Sequence, residues 1–453
     1  MLRRLAPASL ALCALPAIVT APARHLRTAL VVRDNVVLRA SPASHGRALA
    51  ILVQQTQVEL LDAGRTWDRV RVWASATGWL PRKDLTFRRP WTSASTYRAP
   101  VIHSPIRPTH PARIASQAVL TEATGLAPAP GRAPTEWLAA GTHVPVTAWQ
   151  QDAAGGLWYE IEGRWASGAT VQLVLARSRS AEARKRPIWA PAAGKGMWLT
   201  LATISGTDPS FLASAARADG ITHLYLETAI SPLGFHGRGA VGPLIEAAHR
   251  ARLHVIAWVY PYLRDIAADV ALTRQVASFR TASGERYDGI AADLETNVTL
   301  ERVRAYSQLV RLYLGPHYLL VGVTYPPQSS PSYPFTEVAL RFDVLAPMDY
   351  WHETQTRYGR DFGHLSYGDE YGRRYAAESI QLIRQIAPGT VVAPIGQTFD
   401  DFGRLEMGPN APSAAEIRGF CAGAKASGAV GVSFFQWMTA TRGEFQAIHD
   451  FSY

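Results

Sequence analysis

Two carboxylates stand two residues apart in the stretch YDGIAADLE, which runs from Tyr287 to Glu295. They are Asp293 and Glu295, and a short apolar run precedes them. Side chains two residues apart on a strand point to the same face, so a strand here projects both acids together near its carboxyl end. Two carboxyl groups this close are suited to proton transfer, because the charge of one opposes ionisation of the other.

Eight apolar runs alternate with helix-like segments from Gly196 onward. Parallel strands that are covered on both faces have this continuous apolar character. The runs are MWLTLA, THLYLE, HVIAWVY, DGIAADL, YLLVGVTY, DVLAPMDY, TVVAPIG and AVGVSFFQW. Eight such units in about 260 residues predict a (β/α)8 barrel. A doubly wound open sheet is the alternative, but it usually has a Gly-rich phosphate turn, and TISGTDPS after Ala202 offers one glycine.

Helix-capping residues support the predicted alternation of strands and helices. Asp208 precedes Pro209 and is a candidate N-cap, as are Thr299 and Ser413 ahead of two further helical segments. Gly315 is placed to end the segment that Thr299 begins. The predicted strands are therefore joined by helices, as a barrel of this class requires.

Polar and aromatic residues gather at the predicted carboxyl ends of the strands, where barrels of this class hold their active sites. Carboxylates transfer protons, and aromatic faces stack on sugar rings, so the set indicates a carbohydrate site. Glu227 and Asp349 are candidates for a further carboxylate. The predicted substrate-contacting residues are Trp258, Tyr260, Tyr325, Tyr350, Trp351, Gln397, Gln436 and Trp437.

The residues at these strand ends do not indicate a zinc site or a serine esterase. The strand ends carry no paired histidines of the kind that bind zinc, and the chain has no GxSxG turn for a serine esterase. No metal or cofactor is expected.

Within the D-x-E pair, the outer residue Glu295 is the candidate general acid. Asp293 holds the proton of Glu295 and raises the pKa of Glu295. The alternative is structural: the pair holds a loop through helix N-terminal amides or pairs with Arg264.

YDGIAADLE resembles the fourth-strand signature DGxDxDxE of glycoside hydrolase family 18 and of related glycoside hydrolase barrels. Asp288, Gly289, Asp293 and Glu295 match this pattern, and Ala291 replaces its first inner Asp. The resemblance covers roughly the last 260 residues, in line with a (β/α)8 domain, and is specific at this strand. It implies that Glu295 is the general acid of a glycosidase.

The sixth predicted strand matches that family less well. Met348 and Tyr350 fit its M-x-Y-D pattern, Trp351 stands in place of the Asp, and Asp349 comes one residue early. In the family, an acetamido group of the substrate attacks the sugar carbon while the strand-six Tyr and Asp hold it, and Trp437 is the candidate for the family's strand-eight Trp. Alternatively, Glu227 or Asp349 serves as nucleophile or base, which leaves a retaining or an inverting outcome open.

Two β-rich segments precede the barrel, at 29–88 and 112–175. The first resembles a bacterial SH3-like domain in NVVLRASPA, RTWDRVRV and GWLPRKDL, and the second is a looser copy with AVLTEATG, AAGTHVPVTAW and GLWYEIEG. This resemblance implies binding to wall peptides or glycans. Four tryptophans are either stacking platforms for that ligand or core residues of the modules: Trp67, Trp79, Trp158 and Trp165.

The remaining segments are a predicted secretory signal and two predicted linkers. Residues 1–23 have the charged start, apolar middle and small residues of a secretory signal. Cys13 could mark a lipoprotein, but the bulky Leu12 before it disfavours this, and removal of the signal leaves Cys421 without a partner for an internal disulfide. Residues 89–111 are rich in Pro and Ser, and 176–192 are basic. Both are predicted linkers, and 193–453 form the barrel domain.

The formal net charge of +10 indicates an anionic neighbourhood. Because the densest basic cluster lies in the linker at 176–187, nucleic-acid binding is disfavoured, and no stable membrane insertion is expected. The leading hypothesis is an exported glycoside hydrolase that acts on a cell-wall or extracellular polysaccharide or on peptidoglycan. The alternative is a barrel that binds glycan without cleaving it, in wall attachment or envelope assembly.

Overall fold

The computed structural model describes residues 28–33, 35–52, 56–86, 106, 109–175, 187–352, 369–399 and 412–453. The predicted secretory signal with Cys13, and most of both predicted linkers, lie outside these residues. The described chain forms two antiparallel sheets followed by a closed barrel.

The two sheets in front of the barrel share one topology. Each has seven strands, in the order β3-β2-β6-β5-β4-β1-β7 for the first and β10-β9-β13-β12-β11-β8-β14 for the second. The second order is the first with every strand number raised by seven, so the loose sequence repeat corresponds to a structural repeat. The first sheet comprises β1 Thr28–Val31, β2 Val36–Arg39, β3 Ala48–Leu52, β4 Gln57–Ala63, β5 Trp67–Val72, β6 Ala76–Pro81 and β7 Leu85–Thr86. The second comprises β8 Ala112–Leu120, β9 Thr124–Ala127, β10 Glu136–Leu138, β11 His143–Gln151, β12 Leu157–Ile161, β13 Arg164–Ser167 and β14 Val171–Val174.

Eight parallel strands close the barrel in sequence order, and the last pairs with the first. Each coincides with one of the eight apolar runs, so the predicted barrel is confirmed and the open sheet is excluded. The strands are β15 Gly194–Leu199, β16 His223–Ile230, β17 His254–Tyr260, β18 Gly289–Asp293, β19 Leu319–Thr324, β20 Val344–Asp349, β21 Ile395–Gln397 and β22 Gly431–Phe435.

Helices cover the barrel between successive strands, and their caps follow the sequence signals. The side chains of Asp208, Thr299 and Ser413 each accept a hydrogen bond from an amide in the first helical turn, and Gly315 ends its helix at a φ of 76°. None of the helices within the described ranges is long and apolar enough to cross a membrane. The α-helices are α1 Leu201–Gly206, α2 Pro209–Ala218, α3 Val241–Arg250, α4 Ile266–Ala277, α5 Leu300–Leu314, α6 Phe335–Ala339, α7 Asp369–Ile386, α8 Ala414–Ala426 and α9 Arg442–Asp450.

Alternation along the strands separates the interior of the barrel from its outer layer. The interior is filled by residues two apart, as in Val344, Ala346 and Met348 of β20. Their neighbours along the same strand face the helices instead. This parity decides which residues at each strand end face the mouth of the barrel, and it places Asp293 and Glu295 on the same side as Ala291.

The first sheet packs on the outer surface of the barrel through buried aromatic rings. Trp73, 2% exposed, lies 4.8 Å from Trp437 and 5.9 Å from Phe211, measured between ring centroids. At the same seam, Arg442 forms an ion pair at 2.9 Å with Glu59, which is 1% exposed. Buried aromatic contacts of this kind contribute strongly to an interface, so the first sheet is held against α2 and α9 rather than tethered by a linker alone.

The second sheet contacts a different sector of the barrel. Trp149 Nε1 donates to Tyr313 Oη of α5 at 2.9 Å, and the Gln151 side chain donates to Asp265, the N-cap of α4, at 2.9 Å. The backbone amide of Leu173 donates to Gln308 of α5 at 2.7 Å. Both sheets therefore lie on the helical sides of the barrel.

Candidate functional site

The carboxyl end of β18 holds the two predicted acids. Asp293, 4% exposed, is the last residue of the strand, and Glu295 is half-buried. Trp258 Nε1 on the neighbouring strand β17 donates a hydrogen bond to Asp293 Oδ2 at 2.9 Å. The Glu295 carboxyl group also hydrogen-bonds with Asp293, and Asp293 Oδ1 is buried and accepts from no N–H or hydroxyl group among the described residues. The two acids form a bonded pair with one member buried and the other at the mouth.

Burial raises the pKa of Asp293 to about 6, and its hydrogen bonds with Glu295 and Trp258 limit the rise. Two carboxyl groups in contact titrate as a unit, so the pair retains one proton at a pH where isolated carboxyls have lost theirs. A carboxyl that is still protonated near neutral pH can act as a general acid. The raised pKa lies on Asp293, so the pair as a whole holds a proton near neutral pH, and the assignment of Glu295 as the acid that delivers it stays a prediction.

Three tyrosine hydroxyls hold the chain around the pair. Tyr325 Oη donates to the Glu295 carbonyl at 3.1 Å, and Tyr333 Oη donates to the Leu294 carbonyl at 2.9 Å. Tyr260 Oη lies 2.8 Å from Thr296 Oγ1. Burial raises the pKa of Tyr260 and of Tyr333, and the nearby carboxylates add to the effect. These hydroxyls stay protonated and fix the backbone that carries Glu295.

Aromatic rings fill the space beneath the acids. Trp198 stacks on Tyr225 with ring centroids 4.1 Å apart and an interplanar angle of 5°, and Trp258 meets Trp198 edge-on at 5.4 Å. Trp198 Nε1 donates to Ser433 Oγ at 3.0 Å, and Phe435 packs edge-on against Trp258 at 5.8 Å. This packing locks the Trp258 ring, which keeps its N–H directed at Asp293.

Glu227 lies within β16, before the strand ends at Ile230, and is anchored at both carboxylate oxygens. Its Oε2 accepts from the Leu201 amide, at the start of α1, at 2.8 Å, and its Oε1 lies 3.0 Å from His236 Nε2. The hydrogen bond to Glu227 is the main cause that raises the pKa of His236, and burial opposes it. In this arrangement Glu227 ties helix α1 to the loop after β16.

Three further predicted contacts lie around strands β20 to β22. Tyr350 is half-buried and meets the Phe399 ring edge-on at 5.1 Å. Gln397 is fully buried, and its amide donates to the Phe399 carbonyl at 3.0 Å. Gln436 is half-buried, and its backbone carbonyl accepts from Thr398 Oγ1 at 3.1 Å. Tyr350 and Gln436 thus keep some exposure, whereas Gln397 supports the loop beneath Phe399.

Three residues predicted for the site lie away from it. Asp349 follows the inward-facing Met348, so it points outward, is fully buried and accepts from Ser379 of α7 at 2.7 Å. Burial raises the pKa of Asp349 well above its usual range. Its position there excludes the nucleophile or base role that was considered for it, because a group enclosed by the helix layer cannot reach a sugar in the mouth.

Trp351 and Trp437, the other two predicted site residues, are also buried outside the mouth of the barrel. Trp351 stacks on Phe420 at 5.0 Å, and its Nε1 donates to Glu416 Oε1 at 3.3 Å, both on α8. Trp437 lies in the seam with Trp73. Each belongs to a helix or module contact, so neither is available to stack on a ligand in the barrel mouth.

Several residues at the site were not singled out from the sequence. Trp198 and Tyr225 could have been found, because Tyr225 lies two residues before Glu227 on the same strand face and Trp198 occupies the equivalent place on β15. Tyr333 and His236 come from loops, where no periodicity indicates direction. Asp288, which matches the hydrolase signature, lies at the opposite end of β18, where it accepts from the Val255 amide at 2.8 Å.

The described residues define a parallel (β/α)8 barrel with a carboxyl pair and aromatic rings at the carboxyl ends of its strands. Within that part of the chain, no group of three or more His, Cys, Asp or Glu side chains is arranged to hold a metal ion. The described part contains one free cysteine, Cys421, which is buried.

Solved structures align with a little over half of the chain. The spore cortex-lytic enzyme SleL of Bacillus cereus aligns over 57% of this chain and 74% of its own, with 14% identity and a TM-score of 0.43. A class V chitinase from Nicotiana tobaccum aligns over 58% and 100%, with 11% identity and a TM-score of 0.39. A class V chitinase from Pseudomonas fluorescens aligns over 56% and 98%, with 14% identity and a TM-score of 0.42. No protein-family model and no curated protein matches the chain.

Proposed function

We propose that this protein is an exported glycoside hydrolase that acts on a cell-wall or extracellular polysaccharide. The observation that carries the proposal is the Asp293–Glu295 pair, which is hydrogen-bonded, partly buried and held at the mouth of the barrel by Trp258. A carboxyl that still holds its proton near neutral pH is what protonation of a glycosidic oxygen requires. The resemblance of YDGIAADLE to family 18 hydrolases supports the same roles.

In the proposed reaction, Glu295 donates its proton to the leaving glycosidic oxygen. Asp293 accepts the indole N–H at one oxygen and shares the proton of the pair, so it moderates the charge that remains on Glu295. The negative pair also stabilises the positive charge that develops on the sugar ring. Aromatic faces at the mouth, including the half-buried Trp258 and Tyr350, stack on the sugar.

The attacking group stays open between the substrate's own acetamido oxygen, a water molecule and the carboxylate of Glu227. The outward position of Asp349 and Trp351 disfavours the family's acetamido-holding Tyr–Asp arrangement on β20. Glu227 remains a candidate second carboxylate, although both of its oxygens already have partners. Rescue of Glu227→Ala by azide would identify it as the nucleophile, and rescue would be absent if it only anchors α1.

Hydrolysis is tested by the release of reducing ends from peptidoglycan, chitin oligomers and amylose. Glu295→Gln is expected to lower kcat by about 10²–10⁴-fold, the usual contribution of a general acid, while binding is retained. Glu122→Gln, at an exposed carboxylate of the second sheet, is the matched control and should leave kcat unchanged. Full activity in Glu295→Gln would remove the acid assignment.

A second candidate function is glycan binding without cleavage. The observation that favours it is the enclosure of Asp349, which withdraws one of the two candidates for a second carboxylate from the mouth. Under this alternative, the wild-type protein binds one of the three polymers and releases no reducing ends from any of them. The two sheets are proposed to target the protein to the wall under either function.

A further inference from the structure

A groove of about 680 Å³ lies on the first sheet, far in sequence from the barrel residues of the candidate site. Its described lining includes the half-buried ring of Trp67 and exposed turn residues near Ser44. It also carries five cationic side chains: Arg33, Arg39, Arg65, Arg82 and Lys83. This density of positive charge within one concave surface indicates an anionic ligand.

Three of the guanidinium groups are positioned by the protein itself. Arg33 forms two hydrogen bonds, of 3.0 and 3.2 Å, to the buried carboxylate of Asp84. Arg82 donates to Asp68 Oδ1 at 3.1 Å, and Arg39 donates to the Gly46 carbonyl at 2.7 Å. A fixed arginine loses less conformational freedom on binding an oxyanion than a mobile one does.

The groove keeps an excess of positive charge after these pairings. Among the described residues, its five cations exceed the two carboxylates that pair with them, Asp84 and Asp68, by three. Arg65 and Lys83 are exposed, and neither has a hydrogen bond or ion pair within the described part of the chain. These two side chains can therefore pair with a ligand without losing a partner in the protein.

We propose that this groove binds an acidic polysaccharide, with the arginine forks on its carboxylate or phosphate groups and Trp67 against a sugar face. Planar guanidinium groups match both oxyanions in a bidentate manner, and an indole face suits a pyranose ring. The inference rests on the proposed targeting role of the first sheet, for which it names the ligand class. It does not depend on hydrolysis in the barrel.

The aromatic content of the groove favours a glycan over a nucleic acid. Trp67 is the one aromatic ring on its described lining. Single-stranded nucleic acids are bound by successive aromatic platforms, one for each base, alongside the positive charge. A groove with five cations and one aromatic ring suits a polymer that carries many negative charges and needs few stacking contacts.

The test uses the full chain with Glu295→Gln, so that cleavage cannot alter the polymers. The four probes are polygalacturonate, its fully methyl-esterified neutral form, phosphomannan and a single-stranded DNA oligomer. Arg65→Ala/Lys83→Ala removes the two unpaired cations of the groove. Arg132→Ala/Arg217→Ala removes the same charge from exposed positions outside the groove and is the matched control.

The groove variant is expected to bind the acidic glycan about tenfold more weakly at low salt, and the control less than about twofold more weakly. Binding of polygalacturonate alone assigns carboxylate as the recognised group, and binding of phosphomannan alone assigns phosphate. Equal affinity for the methyl ester, equal weakening by the control variant, or tighter binding of the DNA than of either glycan overturns the proposal. Activity that survives Glu295→Gln refutes the catalytic assignment and leaves this binding result standing.

Discussion

Replacing Asp293 by Asn is expected to stabilise the protein above pH 6 and to leave its stability nearly unchanged near pH 4. Asn has the size of Asp and keeps an oxygen that can accept from Trp258 Nε1. It lacks the charge that burial opposes. The comparison therefore isolates the electrostatic cost of the buried carboxylate.

The magnitude follows from the pKa of Asp293, which burial raises from 3.8 to about 6. Because the folded-state pKa is the higher one, the folded protein binds the proton more tightly than the unfolded chain does. The resulting stabilisation is present below about pH 4 and is lost as the pH rises through about 6, and the loss amounts to about 3 kcal/mol. The Asn side chain does not ionise over this range. The difference in unfolding free energy between the variant and the wild type therefore grows from near zero at pH 4 to at most about 3 kcal/mol.

Thermal unfolding at pH 4, 5, 6, 7 and 8 measures the effect. A gain of about 3 kcal/mol corresponds to roughly 6–12 °C in Tm for a domain of the barrel's size. Asp62→Asn, at an exposed position of β4, is the control and is expected to show no growth with pH. A Tm difference between the Asp293→Asn variant and wild type that is the same at pH 4 and pH 7, or a less stable variant at pH 7, would refute the reasoning.

Of two other substitutions, one probes the site and the other probes the seam between the first sheet and the barrel. Trp258→Phe removes the N–H that favours the ionised form of Asp293. The apparent pKa of the carboxyl pair in the pH–rate profile is therefore expected to rise by roughly one unit. A fall in this apparent pKa would contradict the prediction. Trp73→Ala is expected to destabilise the protein by about 3–5 kcal/mol in thermal or urea unfolding, because it empties the seam between the first sheet and the barrel. Trp137→Ala, at a ring that is 66% exposed, is its control and is expected to stay within about 0.5 kcal/mol; equal losses would show that the seam contributes nothing.

Local patterns in the sequence predicted the barrel correctly. Apolar runs and helix caps depend on residues close together in the chain, so the eight strands and the caps at Asp208, Thr299 and Ser413 appear where the sequence indicates them. The pairing of Asp293 with Glu295 is local in the same sense, because strand alternation alone sets their shared face. The identity of the two modules as SH3-like stays a prediction, and the structure shows that the two copies of the loose sequence repeat share one strand order.

What lies around the pair was decided by tertiary structure. Alternation shows that Asp349 differs in face from Met348, but only the closed barrel shows which of the two faces is the interior. Trp437 is buried because the first sheet, hundreds of residues earlier, places Trp73 against it. Tyr333 reaches the Leu294 carbonyl from a loop without periodic pattern. The sequence alone determined the acids and the strand that carries them, because both follow from near neighbours. Their pKa, partners and accessible neighbours depend on contacts between distant segments, which only the folded chain establishes.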